Sequence, residues 1–153
     1  MRNYLWAITI FMSLFAVQPS GADQTSSIEF YGSGKILPKN LPVSEAVRHG
    51  NTLFLSAQIG NLPGTFKLVP GGVKEEAKQA MKNIKTLVET HGYSMQDLVK
   101  CTVVLADMSE WTAFNEVYKS FFTDKYPARS ALGVSGLILG ARVQIECLAA
   151  KEK

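Results

Sequence analysis

Apolar and polar positions alternate along this chain in two distinct rhythms, and each predicts a different element. Val73, Ala77, Ala80, Met81, Ile84, Leu87 and Val88 recur at intervals of three and four. That spacing puts them on one face of an amphipathic helix. Lys74, Glu75, Lys78, Lys82 and Lys85 fall on the other face, which reads as a solvated surface. Gly92, after His91, supplies a C-terminal stop. A second helical stripe comprises Trp111, Phe114, Val117, Tyr118, Phe121 and Phe122. Asp107 and Glu110 precede it at the spacing of a capping box. Aromatics in such a stripe read as core, and Tyr126-Pro127 closes the stretch.

The second rhythm is that of strands. Residues 98–106 are β-branched and mostly apolar, as in a strand covered on at least one face. Residues 129–134 form another. In residues 141–149, Val143, Ile145 and Cys147 alternate with Arg142, Gln144 and Glu146, the pattern of a half-covered strand. Two short apolar runs flank Gly50-Asn51 and predict a hairpin. Residues 28–31 form a short leading strand, and the Pro/Gly-rich residues 60–72 a surface loop. Leaving aside the leading strand, the order is β-β-α-β-α-β-β. It predicts an α+β fold with both helices on one face of a mixed sheet. The other face needs cover, which oligomerisation supplies for a domain of this size.

The N-terminus follows neither rhythm. Arg2 precedes an almost wholly apolar run over residues 5–17, then Pro19, then small residues Ser20 and Ala22 ahead of Asp23. This is the three-part pattern of a secretory signal peptide over residues 1–22. The run is short of the roughly 20 residues that span a bilayer; an uncleaved anchor is the alternative. The mature chain then begins near Asp23, with residues 23–41 as an N-terminal extension and 42–150 as the folded domain. Its destination is the periplasm or the exterior, with no membrane association after cleavage.

At 153 residues, 46% hydrophobic and 19% charged, the chain fits one globular domain. The formal charge of +3 is mild and no Lys/Arg run is present, so no nucleic-acid partner is indicated. Gly32-Ser33-Gly34-Lys35 lacks phosphate-loop spacing and reads as a turn. Cys101 and Cys147 are the two cysteines. Export permits a bridge, but both lie in strand patterns, and the reading favoured is two small buried hydrophobes. With only His49 and His91 and no C-x-x-C, no metal ligand set is present in the sequence.

The candidate chemistry is a single guanidinium. Arg129 follows Tyr126-Pro127-Ala128 and opens a strand. Its donor fork fits a carboxylate bidentately, although taken alone it reads as a surface or ion-paired arginine. Its sequence context changes that. Residues 50–60 (GNTLFLSAQIG), 68–72 (LVPGG), 99–107 (VKCTVVLAD), 114–118 (FNEVY) and 127–130 (PARS) occur in this order. Together they resemble the conserved blocks of the RidA/YjgF family over about residues 42–150.

The resemblance implies a chorismate-mutase-like homotrimer with three clefts between subunits. It also implies cofactor-free hydrolysis of reactive 2-imino acids, and their enamines, to 2-keto acids and ammonia. In that family Arg129 would hold the substrate carboxylate, and Ser56 and Asn115 would line the cleft. Both also fit purely structural places, as a strand serine and a helix-surface asparagine. Nuclease or translation-inhibitor activity, described for some relatives, finds no support in the charge pattern.

Three positions depart from the family pattern. Gln144 stands where a glutamate is thought to position the attacking water, and an amide can orient water but cannot take its proton. Glu146 lies on the same sheet face, about 7 Å further along. Ala57 replaces a glycine, adding a methyl beside the cleft, and Val43 replaces an aromatic residue common in deaminating members. These changes leave a second reading open: a non-catalytic trimer of the same fold that binds a small carboxylate or a partner.

Overall fold

The computed structural model describes residues 27–39 and 41–152. The expected signal segment lies outside the described residues. Among the described residues, no helix is long and apolar enough to cross a membrane.

Two hairpin strands, β2 (Ala46–His49) and β3 (Thr52–Leu55), pair antiparallel through the turn Gly50-Asn51. Gly50 takes φ 57. A first central residue with positive φ suits the tight turns that match strand twist, and glycine takes it without steric cost. The leading strand β1 (Ile28–Tyr31) adds antiparallel to the outer edge of β2. The short β4 (Gln58–Ile59) then pairs with β7 (Val143–Ala150). Strands β5 (Leu98–Leu105) and β6 (Ala128–Gly133) complete a sheet ordered β1-β2-β3-β7-β5-β6. All pairings are antiparallel except β5 with β6, which are joined by a crossover through α2 (Trp111–Lys119).

The long helix α1 (Val73–Thr90) buries every member of the stripe read from sequence. It packs against α2, β4 and β7. Beneath the helices, Cys101, Val103 and Leu105 of β5 and Val143, Ile145, Cys147 and Ala149 of β7 are buried, while their alternates on the other face are not. The predicted α+β architecture, with a mixed sheet and two helices, is the one observed. At Gly60 the helix lies so close that an added Cβ would come within 2.5 Å of the Glu76 backbone.

Three expectations are corrected. The second helix ends at Lys119, so Phe121 and Phe122 lie beyond it. Asp107 caps a preceding 3-10 turn over Met108–Glu110, its carboxylate accepting from Ser109 N at 2.9 Å. The cysteines are also not two free thiols: Cys101 and Cys147 form a disulfide, with Cα atoms 4.1 Å apart. The physical reason is register. The two residues sit directly opposite each other on β5 and β7 with both side chains facing the helices, and strand pairing of that kind is not written in either strand alone.

Ahead of the hairpin, residues 33–37 wrap onto the buried carboxylate of Glu45. It accepts from Ser33 N (2.6 Å), Ser33 Oγ (2.5 Å), Leu37 N (2.9 Å) and Ile36 N (3.2 Å). This anchor fixes the loop that carries Leu37 and Pro38 to the side of the sheet described next.

Candidate functional site

The candidate residues fall into two groups. Arg129 stands on edge strand β6, opposite Cys101 of β5. Residues paired across neighbouring strands share a sheet face, so Arg129 emerges on the helix side. There its guanidinium carbon lies 4.6 Å from the ring centres of both Trp111 and Tyr118. These residues are two turns apart on α2, so both rings face the same way. Contacts of this kind, worth about 0.5–2 kcal/mol each, hold the donor fork in place while leaving its N–H groups available.

A cavity of about 240 Å³ opens beside Arg129, lined also by Asn115, Tyr118, Lys119, Tyr126 and Pro127. Asn115 Oδ1 and the Tyr118 hydroxyl are buried here and have no hydrogen-bond partner among the described residues. Burial pushes the Tyr118 phenol up to about 12, against the opposing pull of the Arg129 charge, so it stays protonated at neutral pH. A buried polar atom without a partner costs about 1–3 kcal/mol. A ligand or a neighbouring copy of the chain can offset that.

Ser56, Ala57 and Gln144 line a different cavity, of about 290 Å³, together with Val43, Phe66 and Leu139 among others. Gln144 pairs with Val104, three residues beyond Cys101 on β5. An odd separation reverses the face, so Gln144 points away from the helices. Ser56 is positioned by its hydroxyl, which donates to Ser44 O at 2.6 Å. Leu139 holds φ 58, the sole positive φ outside glycine among the described residues. This sparsely populated conformation for a branched side chain turns residues 138–139 into the cavity wall.

Within one chain, then, the structure brings Arg129 and Asn115 together, and separately Ser56, Ala57 and Gln144. It does not bring the two sets to one place. Trp111 and Tyr118 were read from sequence only as core. Their seven-residue spacing carries a signal for a shared face, but nothing in it says that an arginine from β6 would lie across them. Among the described residues, no group of three or more His, Cys, Asp or Glu side chains gathers in a metal-binding arrangement.

Fold and cavities define a class: a small α+β protein with one recess beside the Arg129 guanidinium and a second beside the Gln144 amide. The chain belongs to the family described as Endoribonuclease L-PSP, whose sequence model matches residues 37–151, and which is the RidA/YjgF family. It is 45% identical over 108 residues to a mouse protein named 2-iminobutanoate/2-iminopropanoate deaminase, spanning 71% of this chain and 80% of that one. Among solved structures, RidA from an Antarctic Psychrobacter species superposes with a TM-score of 0.75 at 36% identity, covering 80% of this chain and 99% of that one. Escherichia coli TdcF with bound serine gives a TM-score of 0.75 at 30% identity, covering 81% and 99%.

Proposed function

We propose that this chain is a 2-imino-acid deaminase, exported by its N-terminal segment and active as a homotrimer. Each site takes Arg129 and Asn115 from one copy, and Ser56, Ala57 and Gln144 from the next. The observation that carries this is the division of the candidate residues between two faces of one sheet. A substrate of a few atoms cannot touch both sets within one chain, and a second copy docking along the edge strand can complete the site. All six residues of β6 are exposed, Leu132 among them, as are Val134, Ile138 and Leu139 beyond it. The names of the relatives support the chemistry, and the serine bound to TdcF supports a small amino-acid-like ligand on this fold.

The reaction asks little of the protein. The carbon of a protonated imine is already electrophilic. Arg129 grips the carboxylate bidentately and fixes which face of that carbon is open. Gln144 Oε1 accepts a hydrogen bond from water and aims its oxygen at the carbon. The C–O bond forms as the C=N π pair moves to nitrogen. Both protons of the added water then pass to nitrogen, the first before the C–N bond breaks and the second as the C=O bond forms, and a 2-keto acid and ammonium leave. No cofactor is required by this balance.

Export is supported by the signal-like residues 1–22 and by the Cys101–Cys147 bond, since disulfides persist in oxidising compartments. Hydrolysis of freshly generated 2-iminobutanoate by the mature protein tests the activity. It is expected well above background, and to fall at least a hundredfold in Arg129→Ala. A rate no greater than the spontaneous one from the unmutated protein would end the proposal. Mass spectrometry of the secreted product tests cleavage before Asp23.

Gln144 favours a second reading, a trimer that binds small carboxylates without turning them over, because an amide cannot act as a general base. It predicts keto acids binding through Arg129 while no imine is consumed.

A further inference from the structure

The cavity that holds Ser56 and Gln144 carries a statement about the substrate's side chain. Within one chain its volume is about 290 Å³, roughly twice the ~150 Å³ of an apolar cavity that admits a benzene ring, before a second copy closes over it. Its walls are made by Leu37, Leu41, Val43, Phe66, Ile138 and Leu139, and no charged residue lines it. The few polar side chains present are already engaged. Ser56 Oγ donates to Ser44 O, Asn61 Nδ2 donates to Ile36 O and Thr65 O, and Thr65 Oγ1 donates to Leu62 O. Gln144 alone among them has an amide with no hydrogen bond to the described residues. The space is therefore apolar except at one point, and that point is the one needed for water or for the imine nitrogen.

We propose that this chain is specific for 2-imino acids with large apolar side chains, the isobutyl and benzyl kind, over those with one or two side-chain carbons. The proposal rests on the shared-site reading above and deepens it. A methyl group entering this cavity leaves most of the apolar wall facing water. An isobutyl group replaces that water with hydrocarbon contact, and each methylene so buried is worth about fourfold in affinity. Val43 is one of the residues lining this volume. It is 47% exposed and sits in the loop before β2 rather than in the core. A larger residue there occupies the cavity without disturbing the packing beneath it.

The test compares the imines made in place from alanine, leucine and phenylalanine by an amino-acid oxidase with catalase present. Both the unmutated protein and Val43→Phe are used. For the unmutated protein, kcat/KM is expected to be at least tenfold higher for the leucine-derived imine than for the alanine-derived one. Val43→Phe is expected to cancel or reverse that ratio while still hydrolysing the alanine-derived imine. Equal rates, a preference for the smaller imine, or a ratio that Val43→Phe leaves unchanged would overturn the proposal. Calorimetry with pyruvate and 4-methyl-2-oxopentanoate separates this inference from the one beneath it. If no imine is hydrolysed, the deaminase reading fails. The present inference is then decided by whether the larger keto acid binds at least tenfold tighter, and by whether Val43→Phe removes the difference.

Discussion

Arg129 and Gln144 stand on opposite faces of the same sheet. Arg129 is in register with Cys101, and Gln144 with Val104. Three residues of strand rise and two strand spacings put their Cα atoms about 14 Å apart, with side chains diverging. Each lines its own cavity with its own companions. This separation turns a question about two residues into a question about how copies of the chain meet.

If each site draws on two copies, two inactive variants repair one another. Arg129→Ala removes the anchor, and Ala57→Trp fills the cavity beside Gln144. Co-refolded at equal amounts, they are expected to regain about a quarter of the unmutated activity, because a head-to-tail interface then pairs an intact Arg129 with an intact cavity about that often. A mixture no more active than its parents would contradict a shared site.

In the proposed mechanism, Gln144 sets the rate through its chemistry. Gln144→Glu introduces a carboxylate able to take a proton from water, and general-base assistance contributes about a hundredfold or more to such steps. An increase of at least tenfold in kcat is expected, together with a new acidic limb in the pH–rate profile. The limb falls as pH drops, since only the ionised carboxylate acts as a base. An unchanged kcat and a flat profile would show that this position does not meet the water.

Glu45 makes stability sensitive to acid. Burial acts to raise its pKa, but the hydrogen bonds from Ser33, Leu37 and Ile36 outweigh burial and hold the carboxyl below its ordinary value. A carboxyl whose pKa is lower folded than unfolded stabilises fully above the unfolded value, and this contribution is lost as pH falls through the folded one. Glu45→Gln is expected to lose about 2 kcal/mol in urea denaturation at pH 7. The gap between the two proteins is expected to shrink progressively below about pH 4.3. A gap that does not change with pH would assign the loss to something other than the charge.

The disulfide closes a long loop, its cysteines being 46 residues apart. The chain-entropy estimate for such a loop is about 4 kcal/mol as an upper figure. Dithiothreitol is expected to lower the unfolding free energy of the unmutated protein by roughly 1 to 3 kcal/mol, read as a lower urea midpoint. The double variant Cys101→Val with Cys147→Ala is expected to ignore the reductant. Equal midpoints with and without reductant in the unmutated protein would show that the bond adds nothing to its stability.

Much of the fold is legible in the residues because its signals are local. The helical stripe from Val73 to Val88 is buried as its spacing demands, and the alternation of Val143, Ile145 and Cys147 with Gln144 and Glu146 separates the two sheet faces. Gly50-Asn51 turns the hairpin, and Gly92, at φ 79, follows α1. Periodicity reports which way a side chain faces its own backbone, and hydrophobic burial then chooses the inner face. The stripe overran α2 because Phe121 and Phe122 are apolar whether or not the backbone under them is helical. Phe122 remains buried beyond the helix end.

The residues alone therefore carry the α+β class, the family and the succession of the main strands and helices, though not the short β4, and they single out Arg129. Which strands are neighbours is settled only in the folded chain. That choice put Cys101 opposite Cys147, laid Arg129 across Trp111 and Tyr118, and sent Gln144 to the far face. Register is set by contacts between segments distant in the chain, through burial and hydrogen bonding summed over the whole sheet, and no local pattern of residues encodes that sum.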